Sequence, residues 1–284
     1  MSSSSSWPSS PSWTLSNSSN MSPKNPQKTE VKPTNRTRSK TAQKLLLWKL
    51  ALSILGLLIW VAAVIIACQY AVTFGLYFIL GRDLLTTPVW TTVCNALIYA
   101  LATFLIIWVP VKFFKKRPLS RTELGFKGLF TWTDILLAPA GFIVYLIFAS
   151  VLIAIFSHFS FFDASEAQEL GYNLLNGFDR VVAFFALCVI APVAEELIFR
   201  GWLYAKLRAL IPGKRLSLIL SILLVSILFG LLHGQWNVGV NVFAMSIVLC
   251  TMREITGTIY SGILLHILKN TIAFALVYIF GFGG

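Results

Sequence analysis

The sequence predicts an all-α, polytopic transmembrane bundle of about seven spanning helices, and three observations carry that reading. Of 284 residues, 57% are apolar and only 12% charged, with a mean hydropathy of +0.77, which is far too apolar for a soluble domain of this length. The apolar runs are long and unbroken, without the period-two alternation of a closed barrel, so helices rather than strands should cross the bilayer. The net charge of +12 gathers in the N-terminal tail and in connections between runs, as a positive-inside bias requires. The charge therefore reads as topology: the lipid bilayer is an expected partner and nucleic acid is not.

Residues 1–43 are rich in Ser, Asn, Pro, Lys and Arg and nearly devoid of aliphatic side chains, which predicts a disordered, basic, cytoplasmic tail. Asn17, Asn20 and Asn35 head glycosylation sequons that a cytoplasmic tail would leave unmodified. The apolar region starts near Leu45 and is too long for the core of a signal peptide. Residues 44–133 are expected to hold the first two spans and a basic loop. Helix 1 is placed near 48–70 within the run from Leu45 to Leu80, with an eighth span if that run divides. Helix 2 runs from about Val89 to Val111 and stops at Lys112, Lys115, Lys116, Arg117, Arg121 and Lys127.

Residues 134–284 are expected to form the functional core. Helix 3, from about Asp134 to Ser157, contains Pro139 and Gly141, where a bend is expected. The acidic stretch 158–180, with Asp163, Glu166, Glu169 and Asp179, suits an external loop. Helix 4 begins near Val181 and is followed by Lys206, Arg208, Lys214 and Arg215, an inner connection. Helix 5 spans about Leu216 to His233, helix 6 ends near Met252 before Arg253-Glu254, and helix 7 runs from about Thr258 to Phe280. Cys68, Cys94, Cys188 and Cys250 are widely spaced within apolar segments and read as small buried hydrophobes.

Helix 4 carries Glu195-Glu196-x-x-x-Arg200, three ionisable residues where each costs a few kcal/mol to insert. Glu196 and Arg200 stand four apart on one face and can pair, whereas Glu195 is rotated by about 100°. One acid held ionised by arginine beside one left partly desolvated is an arrangement that separates two pKa values, as acid–base chemistry requires. Phe229-x-x-x-His233 ends helix 5, and His266-x-x-x-Asn270 puts an imidazole and an amide on one face of helix 7. A lone intramembrane His or Asn is ordinary interhelical glue; polar sites on three successive helices ask for more. The third histidine, His158, sits among phenylalanines at the end of helix 3 and has no assigned role.

In order and in apolar context, these three motifs resemble the CPBP intramembrane protease family, which takes in CAAX prenyl endopeptidases and the bacteriocin-processing or immunity proteins also called Abi. The resemblance covers roughly residues 134–282. It implies an endopeptidase acting on a membrane-associated peptide or protein substrate with no protein nucleophile. Glu195 would activate water together with His233, Glu196 and Arg200 would support Glu195, and His266 and Asn270 would face the developing oxyanion. No cofactor is implied. Two alternatives stand beside this reading: His233, His266 and Glu195 as ligands of a catalytic metal, although no H-E-x-x-H is present, and a non-catalytic immunity factor or adaptor. Straight upright helices put Glu195 about 22 Å from the outer start of helix 4 and His233 about 25 Å from the inner start of helix 5. Those depths differ, so tilt or an interfacial start to helix 5 is required.

Overall fold

A computed structural model describes residues 35–81, 87–113, 116–166 and 177–281. Among them there are only helices and turns, and seven helices are long and apolar enough to cross a membrane. These are α1 (Asn35–Leu80), α2 (Pro88–Lys112), α3 (Trp132–Phe156), α4 (Gly177–Leu210), α5 (Lys214–Leu231), α6 (Trp236–Thr256) and α7 (Tyr260–Tyr278). The chain is an integral multi-pass membrane protein.

The run from Leu45 to Leu80 does not divide, because no Gly-Pro or polar break interrupts it, and α1 continues as one 46-residue helix. Its start at Asn35 lies inside the stretch expected to be tail; Arg, Lys, Gln and Ala are good helix formers and extend the apolar helix backwards. The rest of the expected tail, 1–34, lies outside the described residues, as does 167–176 of the expected external loop. The chain separates into Met1–Lys44 and a compact unit Leu45–Gly284, and the second unit holds everything that follows.

Within that unit α1 meets α2 through Trp60, whose indole N–H donates to Ile106 O at 3.4 Å, and through buried Val61, Val64, Cys68, Ile98 and Ala102. The four cysteines are buried and unpaired. Thr131 opens α3 with a reciprocal capping box to Asp134, satisfying two of the donors that a helix start leaves orphaned. Pro139 is accommodated inside a helix that runs on to Phe156. Helices α5 and α6 approach backbone to backbone: a Cβ on Gly230 would lie 2.8 Å from Gly239 O, and one on Gly239 would lie 3.0 Å from Gly230 O. Only glycine permits that contact.

The loop after α2 folds against one end of this unit. Lys206 donates to Arg117 O, Arg253 to Glu123 O, Ile259 N–H to Gly125 O and the Tyr260 hydroxyl to Gly128 O. The basic residues of three separate connections thereby share one end of the helices.

Candidate active site

Helix α4 is not a uniform α-helix. Two π-helical stretches, Ala186–Ile190 and Leu197–Leu203, flank the α-helical Ala191–Glu196. At the first, Ala191 N–H bonds to Ala186 O, five residues back, and the next residue, Pro192, has no N–H to give to Leu187 O. Asn270 supplies that bond from α7: its side-chain amide donates to Leu187 O at 2.9 Å. Wide π turns of this kind recur at functional sites, and here they bracket the paired acids.

The two acids have different environments. Glu196 is fully buried, its Oε1 receiving Arg200 Nη1 at 2.8 Å and His266 Nδ1 at 3.0 Å. Arg200 is equally buried and lies 4.5 Å from the centre of the Phe229 ring, a cation–π contact strengthened by desolvation. Glu196 Oε2 packs toward α7 at Gly262, where a Cβ would stand 3.1 Å from it. Glu195 keeps 13% of its side chain exposed. Its Oε1 accepts from the Tyr99 hydroxyl at 2.6 Å, and its Oε2 lies 3.6 Å from His266 Nε2, too long for a direct hydrogen bond.

Both imidazoles have one nitrogen committed. His233 Nδ1 is 2.8 Å from Phe229 O, and a carbonyl only accepts, so Nδ1 carries a proton and Nε2 is left for chemistry. His266 Nδ1 faces the Glu196 carboxylate, which fixes its proton there by the same argument. Phe229 stacks edge-on against His233, His266 and Phe199, so the aromatic residue of the second motif is the hub on which both imidazoles and Arg200 rest. His233 is also an electrostatic neighbour of Glu195 and His266.

The structure thus brings Glu195, Glu196, Arg200, His233 and His266 together, while the Asn270 amide reaches the α4 backbone with one of its two protons. The depth difference expected for Glu195 and His233 arises from taking the outer start of helix 4 as origin. Helix α4 is 34 residues long, about 51 Å, and its far end is the common reference. Leu210 is fifteen positions beyond Glu195 and His233 nineteen beyond Lys214, so the two sit about 22 and 28 Å from the same turn. Side chains and modest tilt cover that gap.

Two participants are not foreseen by the motifs. Tyr99 comes from α2, and the only hint in the sequence is a hydroxyl within an apolar span, four after Asn95. Lys269 stands half-buried within electrostatic reach of Glu195 and His233. Among the described residues no three His, Cys, Asp or Glu side chains are disposed to hold a metal ion. A cavity of about 440 Å³ adjoins the α5–α6 turn, lined by Phe156, Ile227, Gly230, Trp236, Gly239 and Phe243; Glu195 is not part of its wall.

Residues 177–272 match the family model described as type II CAAX prenyl endopeptidase Rce1-like, a span that takes in all six motif residues. No curated protein and no solved structure matches the chain. From Gly177 to Ile272, where the π turns, the paired acids and both imidazoles lie, this chain is similar to the Rce1-like CAAX prenyl endopeptidase family.

Proposed function

We propose that this protein is an intramembrane endopeptidase that hydrolyses a peptide bond of a membrane-associated peptide or lipoprotein, using a water activated by Glu195 and His233. The observation that carries the reading is the unequal use of two adjacent acids. Glu196 is consumed by Arg200 and His266, whereas Glu195 is partly exposed and keeps Oε2 without a direct hydrogen bond.

In the reaction the water gives one proton to Glu195 Oε2 while its oxygen adds to the scissile carbonyl carbon, and the carbonyl π pair moves onto oxygen. His233 Nε2 accepts from the same water and orients it. The oxyanion is met by the second amide proton of Asn270 and by His266 Nε2 when that ring is protonated, its charge supported by Glu196. Collapse breaks the C–N bond, and Glu195 returns its proton to the departing amine. The basic end of the helices faces the cytoplasm, together with the N-terminus.

The test is cleavage of candidate membrane-anchored peptides by the purified chain in phospholipid vesicles. Glu195→Gln and His233→Ala should each lower turnover by about 10²-fold or more; full activity in both overturns the proposal. Glu195→Gln should also retain bound substrate for identification by mass spectrometry. Turnover should survive chelators, and loss restored by added metal would favour the metal reading instead.

A further inference from the structure

We propose that Tyr99 is a positioning residue for this reaction: its hydroxyl holds Oε1 of Glu195 and so decides which carboxylate oxygen meets the water. The inference rests on Glu195 being the base. It concerns a residue of α2, outside the matched segment 177–272, in a helix that carries none of the motifs.

The Tyr99–Glu195 distance of 2.6 Å falls in the range of an O–H donor on an ionised carboxylate, roughly twice as strong as a neutral bond. A glutamate has three rotatable torsions before its carboxylate, and an unrestrained one would lose much of its time in unproductive orientations. Anchoring Oε1 to a rigid phenol leaves Oε2 turned toward His266 Nε2 at 3.6 Å. Tyr99 is itself held by α2, where Ile98 and Ala102 on either side of it are buried in the core, and α2 packs directly on α4.

The groups facing Glu195 make such an anchor necessary. They are Tyr99 from α2, His233 after α5, and His266 and Lys269 from α7. Lys269 makes no hydrogen bond or ion pair among the described residues. A Glu195 carboxylate released from Tyr99 could also turn to Lys269, which is within its electrostatic reach, and a closed Glu195–Lys269 pair would remove the base from the water.

The experiment uses the full chain in vesicles with a peptide that the wild type cleaves. Tyr99→Phe should lower kcat about ten- to hundredfold, the loss expected for a hydrogen bond to a charged group. KM should stay within about twofold and the melting midpoint should be unchanged. Tyr145→Phe is the control, since it removes a bond of similar length, Tyr145 to Asn241 Oδ1 at 2.7 Å, away from Glu195; its kcat should match wild type. Wild-type kcat in Tyr99→Phe, or a loss accompanied by an equal fall in melting midpoint, overturns the assignment. An active Glu195→Gln overturns the base reading itself, whereas an inactive Glu195→Gln beside a fully active Tyr99→Phe overturns only the role given to Tyr99.

Discussion

At the scale of single residues, the buried pair Glu196–Arg200 carries the clearest consequence for stability. Removing one partner strands a charge at a fully buried position, which typically costs about 3–5 kcal/mol. Glu196→Gln and Arg200→Met should therefore each lower the melting midpoint in detergent strongly, and the double variant Glu196→Gln/Arg200→Met should lose less than the sum. Equal, additive losses would show that the pair is not coupled. Asn270→Ala is expected to act through the backbone, because it leaves Leu187 O without its donor beside Pro192. A buried group so orphaned costs about 1–3 kcal/mol, read as a lower melting midpoint. The pairing of Glu196 with Arg200 is legible in the sequence because i,i+4 spacing is a local property of a helix. The Tyr99 contact is not, since it joins residues 96 positions apart on helices whose packing no local pattern encodes.

At the scale of elements, the α5–α6 contact and the loop after α2 are the informative parts. Gly230→Ala would drive a Cβ into Gly239 O at 2.8 Å, and a backbone atom cannot rotate away. The helices must separate, at a cost of about 1–3 kcal/mol, and His233, three residues on, should move with them, so turnover should fall as well as stability. In the loop, Arg117 and the Ser120 amide and hydroxyl hold the Glu123 carboxyl down at about 2, from an ordinary value of 4.5. A depressed carboxyl contributes to the fold fully above its unfolded value and loses that contribution as pH falls through the folded one. Pepsin cleavage within 116–131 should thus stay low until pH falls well below 4.5, and Arg117→Ala should move its onset upward. Helices α2, α3, α5 and α7 were legible to within a few residues, because apolar length and basic stops are composition, whereas α1 runs from Asn35 to Leu80, well beyond the expected 48–70 at both ends. The π turns of α4 were not: Pro192 signals a missing N–H, but whether the helix kinks, breaks or widens depends on whether another helix offers a donor, and Asn270 does.

At the scale of the whole molecule, three basic connections gather at one end of the helices, and this supports a single orientation that labelling can test. Leu129→Cys, in the exposed part of the loop after α2, should react with a membrane-impermeant thiol reagent only from the cytoplasmic side. Phe159→Cys, beyond α3, should react only from the other. The opposite pattern would invert the topology. Apolar content and its unbroken runs determined by themselves that the chain is a helical membrane protein, since in a bilayer every backbone polar group must be satisfied within its own segment. The three motifs, being short-range patterns on single helices, likewise carried the resemblance to the CAAX prenyl endopeptidases that the match over residues 177–272 supports. Tertiary structure alone decided which neighbours the two acids meet, because these arrive from elsewhere: His266 and Lys269 on α7, Phe229 on α5, Tyr99 on α2. Environment, not residue type, separates a base from a structural carboxylate, and that environment exists only once the helices have packed.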